Sequence, residues 1–166
     1  MRTLNAGEGT SPDMPPGSRD SVEKRVAAAA ALGKSGDPSA IPALTQSLSD
    51  PHPRVRRESA QALGRLEEAE AVPALAAVLS DPDPEVRMAA IAALGKIRDP
   101  QATGPLIACL CDRDDRVRTG AAVVLGKLAD PRAAGPLEAL ARDPFSGVRE
   151  AAERALGQIR SRRPRR

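Results

Sequence analysis

The stretch Asp-Pro-Asp-Pro-Glu-Val-Arg-Met-Ala-Ala-Ile-Ala-Ala-Leu-Gly, residues 81–95, decides the fold because it is not unique. It returns, edited, at a fixed step of 31 residues. Gly33, Gly64, Gly95, Gly126 and Gly157 keep that step, each behind Leu32, Leu63, Leu94, Leu125 or Leu156. Val-Arg pairs at 55–56, 86–87, 117–118 and 148–149 keep it too, as do Asp50, Asp81, Asp112 and Asp143. Self-similarity at a period of about 20–50 residues marks a stacked repeat array, in which each unit buries its apolar face only against its neighbours.

Each copy reads as helix. On a wheel at about 100° per residue, Val55, Ser59, Ala62, Leu63 and Leu66 share one face, and Arg54, Arg57, Gln61 and Arg65 lie opposite. Asp83-Pro84 supplies a cap acceptor followed by a proline at the first helical position. Asp114, Ser21 and, less well, His52 occupy the same register. Shorter helices are predicted between the long ones, at 41–48, 72–79, 103–110 and 134–140, with Pro42, Pro73, Pro105 or Pro136 in the first turn. No strand pattern occurs. The layout is a lone helix near 21–34 followed by four short-plus-long pairs. Residues 1–19, rich in Gly, Pro, Ser and Thr, read as a disordered tail, the alternative being that residues 1–4 cover the first helix. The array occupies 20–160, and 161–166 form a basic tail.

Composition sets limits on function. Phe145 is the single aromatic residue in 166, so Ala, Leu, Val and Ile must fill the core through close helix approach. Cys109 and Cys111 are too near each other to staple distant segments, which fits a reducing cytoplasm. No apolar run approaches the roughly 20 residues that span a bilayer, and the first residues lack a secretion signal's apolar region; a cytoplasmic location is expected. The net charge of +3 is uneven. Residues 160–166 hold five Arg, and without them the remainder carries −2. A nucleic-acid footprint would therefore sit in the tail alone.

The recurring Asp-Pro-x-x-x-Val-Arg-x-Ala-Ala-x-x-Ala-Leu-Gly segments resemble HEAT repeats, and the 31-residue period with its Leu-Gly-Lys ending resembles the PBS-lyase-type HEAT-like subfamily. The resemblance spans about residues 21–160. It implies an all-α, right-handed α-solenoid of about four and a half repeats, with short helices on the convex layer and Val-Arg helices lining the concave one. It also implies a hydrogen-bonded ladder between repeats, built here from Asp50, Asp81, Asp112 and Asp143 with Arg56, Arg87, Arg118 and Arg149. On the wheel Arg56 falls beside Ala60, on the flank that meets a neighbouring repeat. That placement favours a structural ion-pair spine over a phosphate track. Two copies depart from the pattern. The first has Lys24 in place of Val and no short helix before it, leaving the N-terminal end as a candidate self-association edge. The last carries Glu153 where others have Ala60, Ile91 and Ala122, which suggests a polar end cap.

Residues with chemical potential are few. His52, the only histidine, lacks partners at ligand spacing, and the several His-Glu pairs of metal-binding HEAT proteins such as deoxyhypusine hydroxylases have no counterpart. No metal or cofactor site is expected. Cys109 aligns with Val78 and Leu140 as a small buried hydrophobe; Cys111 aligns with exposed positions. Lys34, Arg65, Lys96 and Lys127 sit at helix C-termini, where a cation suits the macrodipole.

Recognition need not repeat, so it is sought where the copies differ. The solvent pole of the long helices carries Arg57/Gln61, Met88/Ala92, Thr119/Val123 and Glu150/Arg154, bordered by Arg54 and Arg116. An apolar centre with a charged rim suits a protein or peptide groove. The leading expectation is a non-enzymatic interaction scaffold, monomeric or weakly dimeric, with an unidentified protein or peptide partner. The alternatives are a subunit of a bilin lyase-type enzyme, by resemblance, and weak nonspecific nucleic-acid binding through the Arg tail.

Overall fold

The computed structural model describes residues 16–162, with side chains from Arg19 onward. Among these residues all regular structure is helical. Five long helices, α1 (Pro16–Ser35), α3 (Pro53–Leu66), α5 (Pro84–Ile97), α7 (Asp115–Leu128) and α9 (Ser146–Ser161), alternate with four short ones. The short helices are α2 (Ile41–Ser47), α4 (Val72–Ala77), α6 (Thr103–Ala108) and α8 (Ala134–Leu140). The all-α solenoid expected from the period is what the chain forms.

Local chemistry sets the boundaries. His52, Asp83 and Asp114 accept the backbone N–H two residues on, capping α3, α5 and α7. The fourth equivalent, Phe145, offers no such acceptor. Ser21 does not cap α1: that helix already starts at Pro16, so Ser21 lies inside it. The helix therefore takes in residues 16–19 of the segment expected to be disordered. Residues 1–15 and the tail residues 163–166 lie outside the described residues. The long helices α3, α5 and α7 are followed by left-handed Glu67, Arg98 and Ala129, and Gly36 takes this conformation after α1. Each turn then passes into a single 3-10 turn ahead of the short helix, at Pro38–Ala40, Ala69–Ala71, Pro100–Ala102 and Pro131–Ala133.

The core is a column of aliphatic side chains. Leu44, Leu75, Leu106 and Leu137 from the short helices and Leu63, Leu94 and Leu125 from the long ones are fully buried, each set in register at the 31-residue step. Long helices pack on their neighbours along their lengths, whereas a short helix meets the next repeat mainly through its 3-10 turn. The long layer is thus the more closely spaced, and a two-layer stack bends toward its tighter layer. The Leu-Gly step makes that spacing possible. A Cβ on Gly33, Gly64 or Gly95 would lie 2.7–2.8 Å from Ala62, Ala93 or Val124 of the next long helix.

Candidate functional site

The arginine row is occupied by structure. Arg56 Nε and Nη2 donate to Asp81 at 2.7 and 2.9 Å, Arg87 donates to Asp112 at 2.8 and 2.8 Å, and Arg118 to Asp143 at 2.8 and 3.1 Å. Each arginine reaches the aspartate of the following repeat. Its Nη1 meanwhile donates to the backbone carbonyl of its own repeat's aspartate: Arg56 to Asp50, Arg87 to Asp81, Arg118 to Asp112, Arg149 to Asp143. One side chain thereby ties two layers. A further rung joins Arg25 to Asp50 at 2.7 and 3.1 Å. The step of 31 back from Arg56 could have shown it, but Lys24 in place of valine obscured the register. The ring of Phe145 lies 5.7 Å from the Arg118 guanidinium, beside the last occupied rung.

Arg25 and Arg118 hold the carboxyls of Asp50 and Asp143 below the ordinary range. At Asp81 burial pushes the other way and is the largest influence, yet the Arg56 hydrogen bond and the Asp83 N–H leave the net shift downward. Carboxyls with depressed folded values add stability that is complete above about pH 4, their unfolded value, and is lost as pH falls through the folded values. Urea unfolding should thus give similar midpoints at pH 7 and 5 and a clearly lower one at pH 3. Asp81→Asn should lose stability at pH 7 and show a smaller further loss at pH 3. Equal midpoints at pH 7 and 3 in the wild type would contradict a contributing ladder.

A second periodic pairing lies outside the ladder. Arg54 is paired with Glu23, and Arg116 with Glu85 at 2.8 Å, each 31 residues apart. Arg116 also grips Asp114 at 2.9 Å, holding that carboxyl down to about 2. The two arginines expected on the groove rim are therefore tied to the preceding repeat.

The groove itself is narrower than the ten residues named from the sequence. Met88, Ala92 and Val123 come together between α5 and α7 in a cavity of about 360 Å³, with Ile91, Gly95, Gly120, Val124, Lys96 and Lys127. Gln61 lines the adjoining gap between α3 and α5, about 240 Å³, which shares Ala92 and Lys96. Arg57 and Thr119 are half-buried and line neither gap; the Thr119 hydroxyl donates to Asp115 O at 2.8 Å. Glu150 and Arg154 are exposed on α9, and Arg154 donates to the Glu150 carbonyl at 3.2 Å. Among the lining residues outside those ten are Gly120, Lys96 and Lys127. Gly120 opens the space, since a Cβ there would first meet Ile91, at 3.6 Å. Lys96 and Lys127, accounted for from sequence by their helix ends with contact to an acidic partner as the alternative, line the same cavity. Register against Glu58, Ala89 and Ala151 would have marked Gly120 as the small member of its row.

Elsewhere the chemistry is quiet. Cys109 is buried, which pushes its thiol up to about 11, and Cys111 is exposed. His52 Nδ1 accepts the Arg54 N–H at 3.2 Å as a helix cap. Among the described residues no group of three or more His, Cys, Asp or Glu is placed to hold a metal, and no helix is long and apolar enough to cross a membrane.

Stacked helix pairs joined by an internal Arg–Asp ladder define an α-solenoid repeat protein. The family model for HEAT repeats matches residues 18–81 and 72–157, and the chain belongs to that family. Its likeness to the PBS-lyase type is also seen in a solved structure. It is similar to a chain in the complex of CpcE and CpcF of phycocyanin lyase from Nostoc sp. PCC7120, at 26% identity and TM-score 0.73, covering 96% of this chain and 71% of that one. An engineered protein aligns at 24% identity and TM-score 0.63, covering 82% and 75%. A designed armadillo repeat protein in complex with peptide (KR)4 aligns at 22% identity and TM-score 0.60, covering 70% and 62%. These two show the fold alone. No curated protein matches the sequence as a relative.

Proposed function

We propose that this chain is a non-enzymatic, cytoplasmic scaffold that binds a protein or peptide segment on the long-helix face, centred between α5 and α7. The observation that carries this reading is the gathering of Met88, Ala92 and Val123, all at positions the repeat leaves free, around the space opened by Gly120. An apolar partner side chain fits among Met88, Ile91, Val123 and Val124, and a partner carboxylate suits Lys96 and Lys127 at the lining. With no aromatic residue in the groove, modest affinity is expected.

A lyase-subunit reading draws support from the similarity to the phycocyanin lyase complex. The groove supplies it with no thiol, histidine or carboxylate lining, so the scaffold reading stands first. Nucleic-acid contact would fall to the Arg tail, most of it outside the described residues.

The double variant Met88→Glu/Val123→Glu tests the groove. Val123 is already exposed and Met88 half-buried, so the fold should persist. A partner captured by wild type should be recovered at least about tenfold less by the variant, a loss of about 1.4 kcal/mol or more. Deleting residues 161–166 should leave capture intact while removing any retention on DNA. Equal recovery by wild type and double variant would sink the groove.

A further inference from the structure

The last rung among the described residues is unfilled. Arg149 Nη1 donates to the carbonyls of Asp143 at 2.8 Å and Pro144 at 2.9 Å, the anchoring that holds Arg56, Arg87 and Arg118. In those three, and in Arg25, the Nε–Nη2 edge binds the next repeat's carboxylate. In Arg149 that edge has no hydrogen-bond partner among the described residues. Beside it, a Cβ on Gly157 would meet nothing within 4 Å, whereas one on Gly126 would lie 2.8 Å from Ala155. Among the described residues both signs of a stacked neighbour, the aspartate and the residue against glycine, are missing beyond α9, while the groups that receive them are in place.

We infer that the C-terminal end of the stack, formed by α9 and independent of the groove, docks the first repeat of another HEAT-type chain. The occupied rungs specify what that repeat must carry. An aspartate in its turn fills the Arg149 fork, and an alanine or valine 12 positions later lies on Gly157, as Ala62 follows Asp50, Ala93 follows Asp81 and Val124 follows Asp112. Glu153, which the sequence suggested as a polar end cap, becomes here a third requirement on the partner. It holds the register of Ile91, which faces Gly120 of the following long helix, eight positions after Asp112. A lysine or arginine eight positions after the partner's aspartate would therefore meet Glu153. A second copy of this chain is a poor occupant. Its residue in the register of Asp50 is Arg19, which would oppose Arg149, and its first helix has no short helix before it among the described residues.

A donor chain tests this in solution against the wild-type protein. The donor is a copy in which Asp99–Asp114 replaces residues 6–21, restoring a complete first repeat with aspartate at position 19, together with Lys24→Val, Ala27→Lys and Arg149→Gln. The last change stops the donor from binding itself. Sedimentation equilibrium should show a 1:1 complex between donor and wild type, and none in wild type alone. Wild-type chains carrying Arg149→Gln or Gly157→Ala should bind the donor at least about tenfold more weakly while keeping their helicity. A second arm does not depend on donor folding. A sixth repeat copied from Pro131–Arg162 with Ala151→Lys is fused in register after Ser161; its melting point should rise by about 5 °C or more, and Arg149→Gln should remove most of that gain. The inference fails if a folded donor does not bind, if binding ignores both end variants, or if the fused repeat adds no stability. Groove variants should leave donor binding unchanged, which separates this surface from the proposed function.

Discussion

Replacing Arg87 with alanine is expected to cost about 3–5 kcal/mol, the usual penalty for removing one partner of a buried ion pair. Arg87 is the most enclosed of the ladder arginines, at 4% exposure. It donates to the carbonyls of Asp81 at 2.8 Å and Pro82 at 3.3 Å, and grips Asp112 through two bonds of 2.8 Å. Its loss leaves the Asp112 carboxylate, whose side chain is 12% exposed, with the Asp114 N–H as its one hydrogen bond among the described residues. It also falls mid-array, where a stack held by neighbour contacts has no alternative route between layers. At about 2–4 °C per kcal/mol for a chain of this size, the melting point should drop by roughly 10 °C. Arg87→Lys should recover little, because one ammonium cannot replace a planar fork that bonds two layers at once. A variant that melts like wild type but loses an acidic partner would show that the row recognises a ligand instead of supporting the fold.

Gly64→Ala and Gly157→Ala should move stability in opposite directions. Both glycines end a Leu-Gly pair in a long helix, and in isolation alanine is favoured there by about 1 kcal/mol. At Gly64 the new Cβ would lie 2.8 Å from Ala93 Cα, a backbone atom that only a shift of the whole of α5 could clear. Overpacking of that kind costs about 1–3 kcal/mol, so a net loss is expected, spread to the adjoining groove gap that Gly64 lines. At Gly157 nothing lies within 4 Å, and the helix-propensity gain of about 0.5–1 kcal/mol should appear undiminished. Urea melts of the two variants side by side decide it. A stabilised Gly64→Ala would mean that α3 and α5 are not held at the spacing described.

The ion pairs missed from the sequence all lie on the repeat's own step. Arg25 and the Glu23–Arg54 and Glu85–Arg116 pairs follow the same 31-residue step as the ladder, so the register contained them; the altered first repeat hid one, and charges read one helix at a time hid the others. The groove is different in kind. A single wheel placed Met88, Ala92, Thr119 and Val123 at one solvent pole, but Thr119 and Arg57 line neither gap, while Gly120, Lys96 and Lys127 enter. A wheel describes one cylinder, and a groove belongs to the space between two.

The sequence by itself determined the repeat, its helical composition and the aliphatic core, because all of these depend on spacing within a copy or on a fixed step between copies; the ladder's residues followed from the resemblance to HEAT repeats. Only the tertiary structure decided which member of each row is buried, paired or open. Gly64 and Gly157 are the same letter in the same motif, and so are Arg87 and Arg149; what distinguishes them is whether another layer is packed against them. In a stack held by contacts between neighbours, a residue's energetic role is set by the repeat beside it, and its own copy of the motif does not record that.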